Sequence, residues 1–144
     1  MTGKCFVDSN VLIYGQDRRE ARKQQCAQEL AAQLVESGLG VISTQVMQEF
    51  YVTVTGKLKK EPFQAKAVMK TFSAFEIVQV IPELVEEAVD CSVLHQLSFW
   101  DALIVVAAEA AGCTTLYSED FTAGQSLLGV TVVNPFAALR EKTK

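Results

Sequence analysis

The sequence predicts an α/β fold built on a mostly parallel sheet. Short apolar runs of strand length alternate with stretches whose apolar residues recur at helical spacing, the pattern of a parallel sheet covered by helices. The 144 residues fit one domain, and 49% hydrophobic with 21% charged residues is a globular composition. No repeat, low-complexity segment or Pro- or Gly-rich linker divides the chain, so residues 1–144 are expected to form a single domain.

"KCFVD" at 4–8 reads as the first strand. Apolar character resumes after Asp8-Ser9-Asn10 with Val11 to Tyr14, either as a second strand behind a two-residue turn or as a new element. "REARKQQCAQELAAQLVESG" is helical, with Ala21, Cys26, Leu30, Leu34 and Val35 on a shared face and Gly38 as its stop. "GVIS" is a short strand. "TQVMQEFYVTVTG" places Val46, Met47, Phe50, Tyr51 and Val54 on one stripe, with Thr44 as the expected N-cap. Pro62 opens the next helix, and "FEIVQVI" alternates like a strand. "PELVEEAVDCSVLHQL" and "SFWDALIVVAAEAAG" are helices, the second ending at Gly112. "TTLYS" and "VTVVN" are strands joined by "EDFTAGQSLLG".

The longest apolar run, Ala102–Ala108, is too short to span a membrane, and Lys4 precedes only three apolar residues before Asp8, which is no signal peptide. A cytosolic protein is expected. Cys5, Cys26, Cys91 and Cys113 show no Cys-x-x-Cys spacing and read as buried thiols, and His95 has no zinc-site spacing to them. A net charge of −4 argues against a generic nucleic-acid coat protein but leaves room for an acidic catalytic centre beside local basic patches.

In parallel sheets functional groups gather at the carboxyl edge of the strands. Asp8 ends the first strand, Glu49 lies early in the helix after "GVIS", and Asp120 follows "TTLYS". The helix of Asp101 ends just before a strand begins, which returns its start to the same rim. Glu119 is a fifth acid there. Packed carboxylates repel, and a divalent cation removes the conflict. Oxygen donors without His or Cys select Mg²⁺ or Mn²⁺, which bind phosphodiesters and activate water. Each acid also has an ordinary explanation. Asp101 with Ser98 has capping-box spacing, Glu49 borders a helical stripe, and Asp120 with Ser118 fits turn chemistry. Asn10 is placed to orient Asp8 or to cap the next segment, and Ser118 to hold a metal-bound water. His95 reads as structural or surface, and Trp100 as packing with base stacking as the alternative.

"FVDSNVLIY" at 6–14, "QEF" at 48–50, "SFWDALIVVAA" at 98–108 and "LYSEDF" at 116–121 together resemble the PIN-domain family, above all its VapC-type toxins. The resemblance covers nearly the whole chain and implies a PIN-like three-layer fold, its sheet flanked by helices. It implies an Mg²⁺- or Mn²⁺-dependent endoribonuclease with Asp8, Glu49, Asp101 and Asp120 as catalytic, metal-holding residues. Asn10 and Ser118 stand behind them, Ser118 matching the Ser or Thr usual two positions before the fourth acid. It also implies a short helix after Asp8. The expected partners are RNA, a cognate antitoxin seated in an apolar groove, and a second copy in a homodimer. RNA phosphates would meet Arg18, Arg19, Arg22 and Lys23, or Lys57, Lys59 and Lys60, or the tail 140–144. The alternative is a PIN-like RNA-processing factor or RNA-binding module that is not a toxin. A receiver or haloacid-dehalogenase-type phosphotransfer domain also places Asp after its first strand, but "DSN" is no Asp-x-Asp and no Lys follows a late strand.

Overall fold

The computed structural model describes residues 3–142, with side chains described as far as Leu139. In chain order the elements are β1 (Lys4–Val7), α1 (Ser9–Tyr14), α2 (Ala21–Ser37), β2 (Gly40–Ser43), α3 (Thr44–Gly56), α4 (Pro62–Lys70), a 3₁₀ turn (Thr71–Ala74), β3 (Glu76–Val78), α5 (Pro82–His95), α6 (Phe99–Ala110), β4 (Cys113–Tyr117), β5 (Ser126–Leu127), β6 (Val130–Val133) and α7 (Ala137–Lys142). The sheet runs β3-β2-β1-β4-β6-β5. It is parallel from β3 to β6, as expected, and antiparallel only at the β5–β6 edge.

Cys5, Phe6 and Val7 are buried along the central β1, as a strand covered on both faces requires. Helix α6 supplies the most apolar covering, with Ala102 through Ala108 all buried. Lys4 Nζ donates to Ala111 O at 3.2 Å, pinning the end of α6 to the start of β1. The start of α6 thereby lies toward the opposite, carboxyl edge. Gly38 (φ 73°) ends α2 in the left-handed conformation that a glycine tolerates best. Gly40 serves a different need: a Cβ there would stand 2.5 Å from the Phe75 ring, so the strand's approach to that ring requires its absence.

Three local expectations are corrected. Ser43, not Thr44, caps α3, its hydroxyl accepting from Val46 N at 3.3 Å. On α2 the inward face is Ala27 and Leu34 with Cys26 and Leu30 beside them, while Ala21 and Val35 are exposed, one at each end of the helix. The segment after Asp8 is the helix α1, as the family resemblance implies. The link between β4 and β6 contains the two-residue strand β5. The four cysteines are thiols, with Cys5, Cys91 and Cys113 buried and Cys26 half-buried. Among the described residues no single helix is long and apolar enough to cross a membrane.

Candidate active site

Asp8 is the last residue before β1 gives way to α1, and it is 4% exposed. Its Oδ1 accepts from Ser9 N at 2.7 Å and caps α1. Its Oδ2 accepts from Ser118 Oγ at 2.8 Å and from Asn10 Nδ2 at 3.2 Å. The carboxyl is thus a capping group and a site group at once. Burial pushes it up to about 7, against the Ser118 and Ser9 donors, and the nearby Glu49 and Asp120 charges push the same way.

The other acids reach Asp8 through shared donors. Ser9 Oγ donates to Glu49 Oε1 at 2.9 Å, tying α1 to α3. Asn10 Nδ2 lies 3.1 Å from Asp120 Oδ2 and 3.2 Å from Ser118 Oγ. Asn10 Oδ1 accepts from Glu119 N at 3.1 Å, and Ser118 Oγ accepts from Asp120 N at 3.1 Å. Asn10 and Ser118 therefore hold Asp8 and the 118–120 turn together. Asp101 stands in the first turn of α6, where Ser98 Oγ accepts from its backbone N–H at 3.1 Å. Burial raises the Asp101 carboxyl above the usual range, the Ser98 hydroxyl opposes that, and Asp120 adds to it.

The six residues singled out from the sequence, Asp8, Asn10, Glu49, Asp101, Ser118 and Asp120, are thus linked by hydrogen bonds or by charge. Glu119 turns away from this group. Its Oε1 accepts from Tyr14 OH at 2.8 Å and its Oε2 from Lys23 Nζ at 2.7 Å. His95 is exposed in the last turn of α5. Trp100 is 62% exposed and meets the edge of Phe99 at 5.1 Å.

Two participants escaped the sequence. Ser9 bridges the carboxyls of Asp8 and Glu49. Gln45, 3% exposed, donates Nε2 to Trp100 O at 3.1 Å and to Glu49 Oε2 at 3.4 Å, so it braces α3 against the start of α6. Its four-residue spacing from Glu49 was the available signal. Gln45 Oε1 is buried with no hydrogen-bond partner among the described residues.

The donor chemistry fits a hard divalent cation. Asp8 is a buried carboxyl whose charged neighbours are carboxyls, and among the described residues no Lys or Arg donates to it. Burying such a charge is costly without a cation. The acids are linked pairwise, however, and among the described residues no three His, Cys, Asp or Glu side chains form a group set to hold an ion as they stand. The centre opens into a cavity of about 430 Å³, lined by Ser9, Asn10, Gln48, Glu49, Val52 and Asp120 among others.

The family model described as PIN domain matches residues 5–122. No curated protein matches the sequence. Among solved structures, the chain is similar to VapC20 of Mycobacterium tuberculosis, described as a sarcin–ricin-loop-cleaving toxin, with a TM-score of 0.68 and 22% identity over 81% of this chain and 90% of that one. It is similar to a toxin–antitoxin complex from Klebsiella pneumoniae, with a TM-score of 0.64 and 22% identity over 92% and 98% of the two chains. It is also similar to the DNA-bound VapBC of Salmonella typhimurium, with a TM-score of 0.68 and 14% identity over 93% and 99%. At these identities the likeness speaks for the fold.

Proposed function

The chain belongs to the PIN domain family, and from that premise we propose that it is a metal-dependent endoribonuclease, the toxin of a VapBC-type toxin–antitoxin pair. One observation carries the proposal: the buried Asp8 carboxyl, joined through Ser9, Asn10 and Ser118 to Glu49 and Asp120 at the carboxyl edge of the sheet. The reaction proposed is hydrolysis of RNA phosphodiesters.

Asp8, Glu49, Asp101 and Asp120 are the residues that would hold Mg²⁺ or Mn²⁺. Such an ion supplies an activated water and stabilises the leaving oxygen. The chain's own part is orientation. Ser118 and Asn10 fix the plane of the Asp8 carboxyl, and Ser9 and Gln45 fix Glu49, so the acids are aimed before anything binds. Glu119 is assigned to the Lys23–Tyr14 pair and not to the metal.

The remaining proposals concern assembly and place. Residues 1–144 act as one PIN domain in the cytoplasm. A groove of about 410 Å³ beside α2, with Ala31, Val35, Phe50, Phe72 and Phe75 in its lining, supports an amphipathic antitoxin helix as occupant. The exposed stripe Ile81, Val85, Val89 and Val93 supports a homodimer.

The test is cleavage of RNA by the purified protein and by its Asp8→Asn form, with Mg²⁺, Mn²⁺ or chelator. Cleavage that needs the metal and disappears in the variant is the expected result. Full activity in Asp8→Asn, or activity that survives chelation, overturns the proposal.

A further inference from the structure

The acidic centre repels the phosphates it is proposed to cut, so an RNA strand needs positive charge elsewhere to stay bound. The sequence offers several basic clusters without ranking them, and the fold separates them. Lys23 is engaged by Glu119 and also lies 4.6 Å from the Tyr14 ring centre. The tail 140–144 lies outside the residues whose side chains are described.

Arg18 and Arg19, in the loop between α1 and α2, come together with Lys57 and Lys60, in the loop after α3. All of them line a cavity of about 340 Å³. A second cavity, of about 500 Å³, shares Arg19 and Lys57 with the first and shares Asn10, Thr53 and Asp120 with the cavity at the acidic centre. The three adjoin in one groove that runs from the carboxylates, past Glu20 and the Lys23-paired Glu119, to the basic loops. Lys59 does not line it. The chain turns there at positive φ (59°), and Lys60, next in the chain, does line the groove.

Arg19 is held ready. Asp17, 6% exposed, accepts from Arg19 N at 3.1 Å, Nε at 2.9 Å and Nη2 at 3.0 Å. Among the described residues Arg19 Nη1 has no hydrogen-bond partner, and the side chain is 63% exposed. The guanidinium is therefore fixed on one side and open on the other. Pre-ordering of this kind lowers the entropic cost of binding an anion.

We infer that Arg18, Arg19, Lys57 and Lys60 bind backbone phosphates of the RNA strand flanking the phosphate that is cut. The groove carries the strand from the basic loops to the acidic rim. This inference rests on the ribonuclease proposal, and the experiment separates the two.

The measurement is the affinity for a short fluorescein-labelled oligouridylate, followed by anisotropy in chelator over a series of salt concentrations, with cleavage kinetics in Mn²⁺ alongside. Each phosphate neutralised on a single strand contributes about 0.7 to the slope of log Kd against log salt. Lys57→Gln with Lys60→Gln should lower that slope by about 1.4. The same variant should raise KM and leave kcat in place. Lys57→Arg with Lys60→Arg keeps the charge and should restore the slope. Lys66→Gln with Lys70→Gln, exposed positions on α4 outside the groove, should leave both slope and KM unchanged. Wild-type protein that cleaves RNA while the glutamine pair leaves the slope untouched overturns the groove and leaves the ribonuclease standing. Wild-type protein that neither binds nor cleaves RNA overturns both.

Discussion

Ser118 Oγ donates to Asp8 Oδ2 at 2.8 Å, joining positions 110 residues apart in the chain. The two lie just past the ends of adjacent parallel strands, where Val7 of β1 pairs with Tyr117 of β4. Two further bonds extend the ladder past the strand ends, one from β1 to β4 and one from β4 to β6. Asp8 N donates to Tyr117 O at 3.0 Å, and Ser118 N donates to Val133 O at 3.1 Å. The backbone ladder thus delivers a hydroxyl to the site carboxyl, and the same hydroxyl receives Asp120 N.

Ser118→Ala should therefore weaken the site without unfolding it. Asp8 loses its shortest side-chain donor, and its carboxyl moves further up because that donor works against burial. Cleavage near neutral pH should fall by about 10- to 100-fold, the usual cost of losing a partner that orients a metal ligand. The pH profile of kcat/KM should shift upward, and Ser118→Thr should restore it. An unshifted profile with lower thermal stability would assign Ser118 a packing role only.

Glu119 and Asp120 are neighbours with opposite assignments. Glu119→Gln gives up the Lys23 ion pair and alters the Tyr14 bond, a cost of about 1–2 kcal/mol in stability with cleavage near wild type. Asp120→Asn removes a charge that Asp8 and Asp101 both sense. Its loss of cleavage should exceed the about 10- to 100-fold typical of an outer partner. Parallel melts and kinetics on the two variants check the pair, and the reverse ranking would reassign the fourth acid.

The legible parts of this fold were those in which one local signal pointed one way. Buried β1, the glycine stop of α2 and the α6 run could be read without partners, and they placed the acids on one rim. The Ser43 cap was not legible, because two hydroxyl residues adjoin at the strand end and either could cap. The β5–β6 hairpin was not legible for a sharper reason. Its turn places Leu128 (φ 51°) and Gly129 (φ 80°) both in the left-handed region, the two-residue type I′ pattern usually signalled by Asn-Gly or Asp-Gly. A leucine there conceals the turn. Nor could the sequence show that Arg19 and Lys57 share a groove, since only the packing of α1 on α3 brings them together.

That leucine makes a stability prediction. Leu128 is 37% exposed, so it adds little burial while its Cβ opposes the left-handed backbone. Leu128→Asn should stabilise the protein by about 1 kcal/mol, read as a higher Tm with unchanged cleavage. A lower Tm would show that the leucine packs more than its exposure suggests.

Asp8 makes the last prediction, which concerns pH. A carboxyl ordinarily titrates near 3.9, while burial pushes Asp8 up to about 7 in the fold. The folded state therefore holds this proton more tightly than the unfolded chain. The group's contribution to stability is fully present below about pH 4 and is lost as pH rises through about 7. The whole effect is on the order of 4 kcal/mol. Chelated wild-type protein should melt at progressively lower temperature across that window. Asp8→Asn cannot titrate, so its Tm should be nearly flat over the same range and should exceed that of wild type at the alkaline end. A divalent cation that binds the ionised site should raise the wild-type Tm more at higher pH and leave the Asp8→Asn melt almost unmoved. Equal slopes in the two proteins would place the buried proton on some other group.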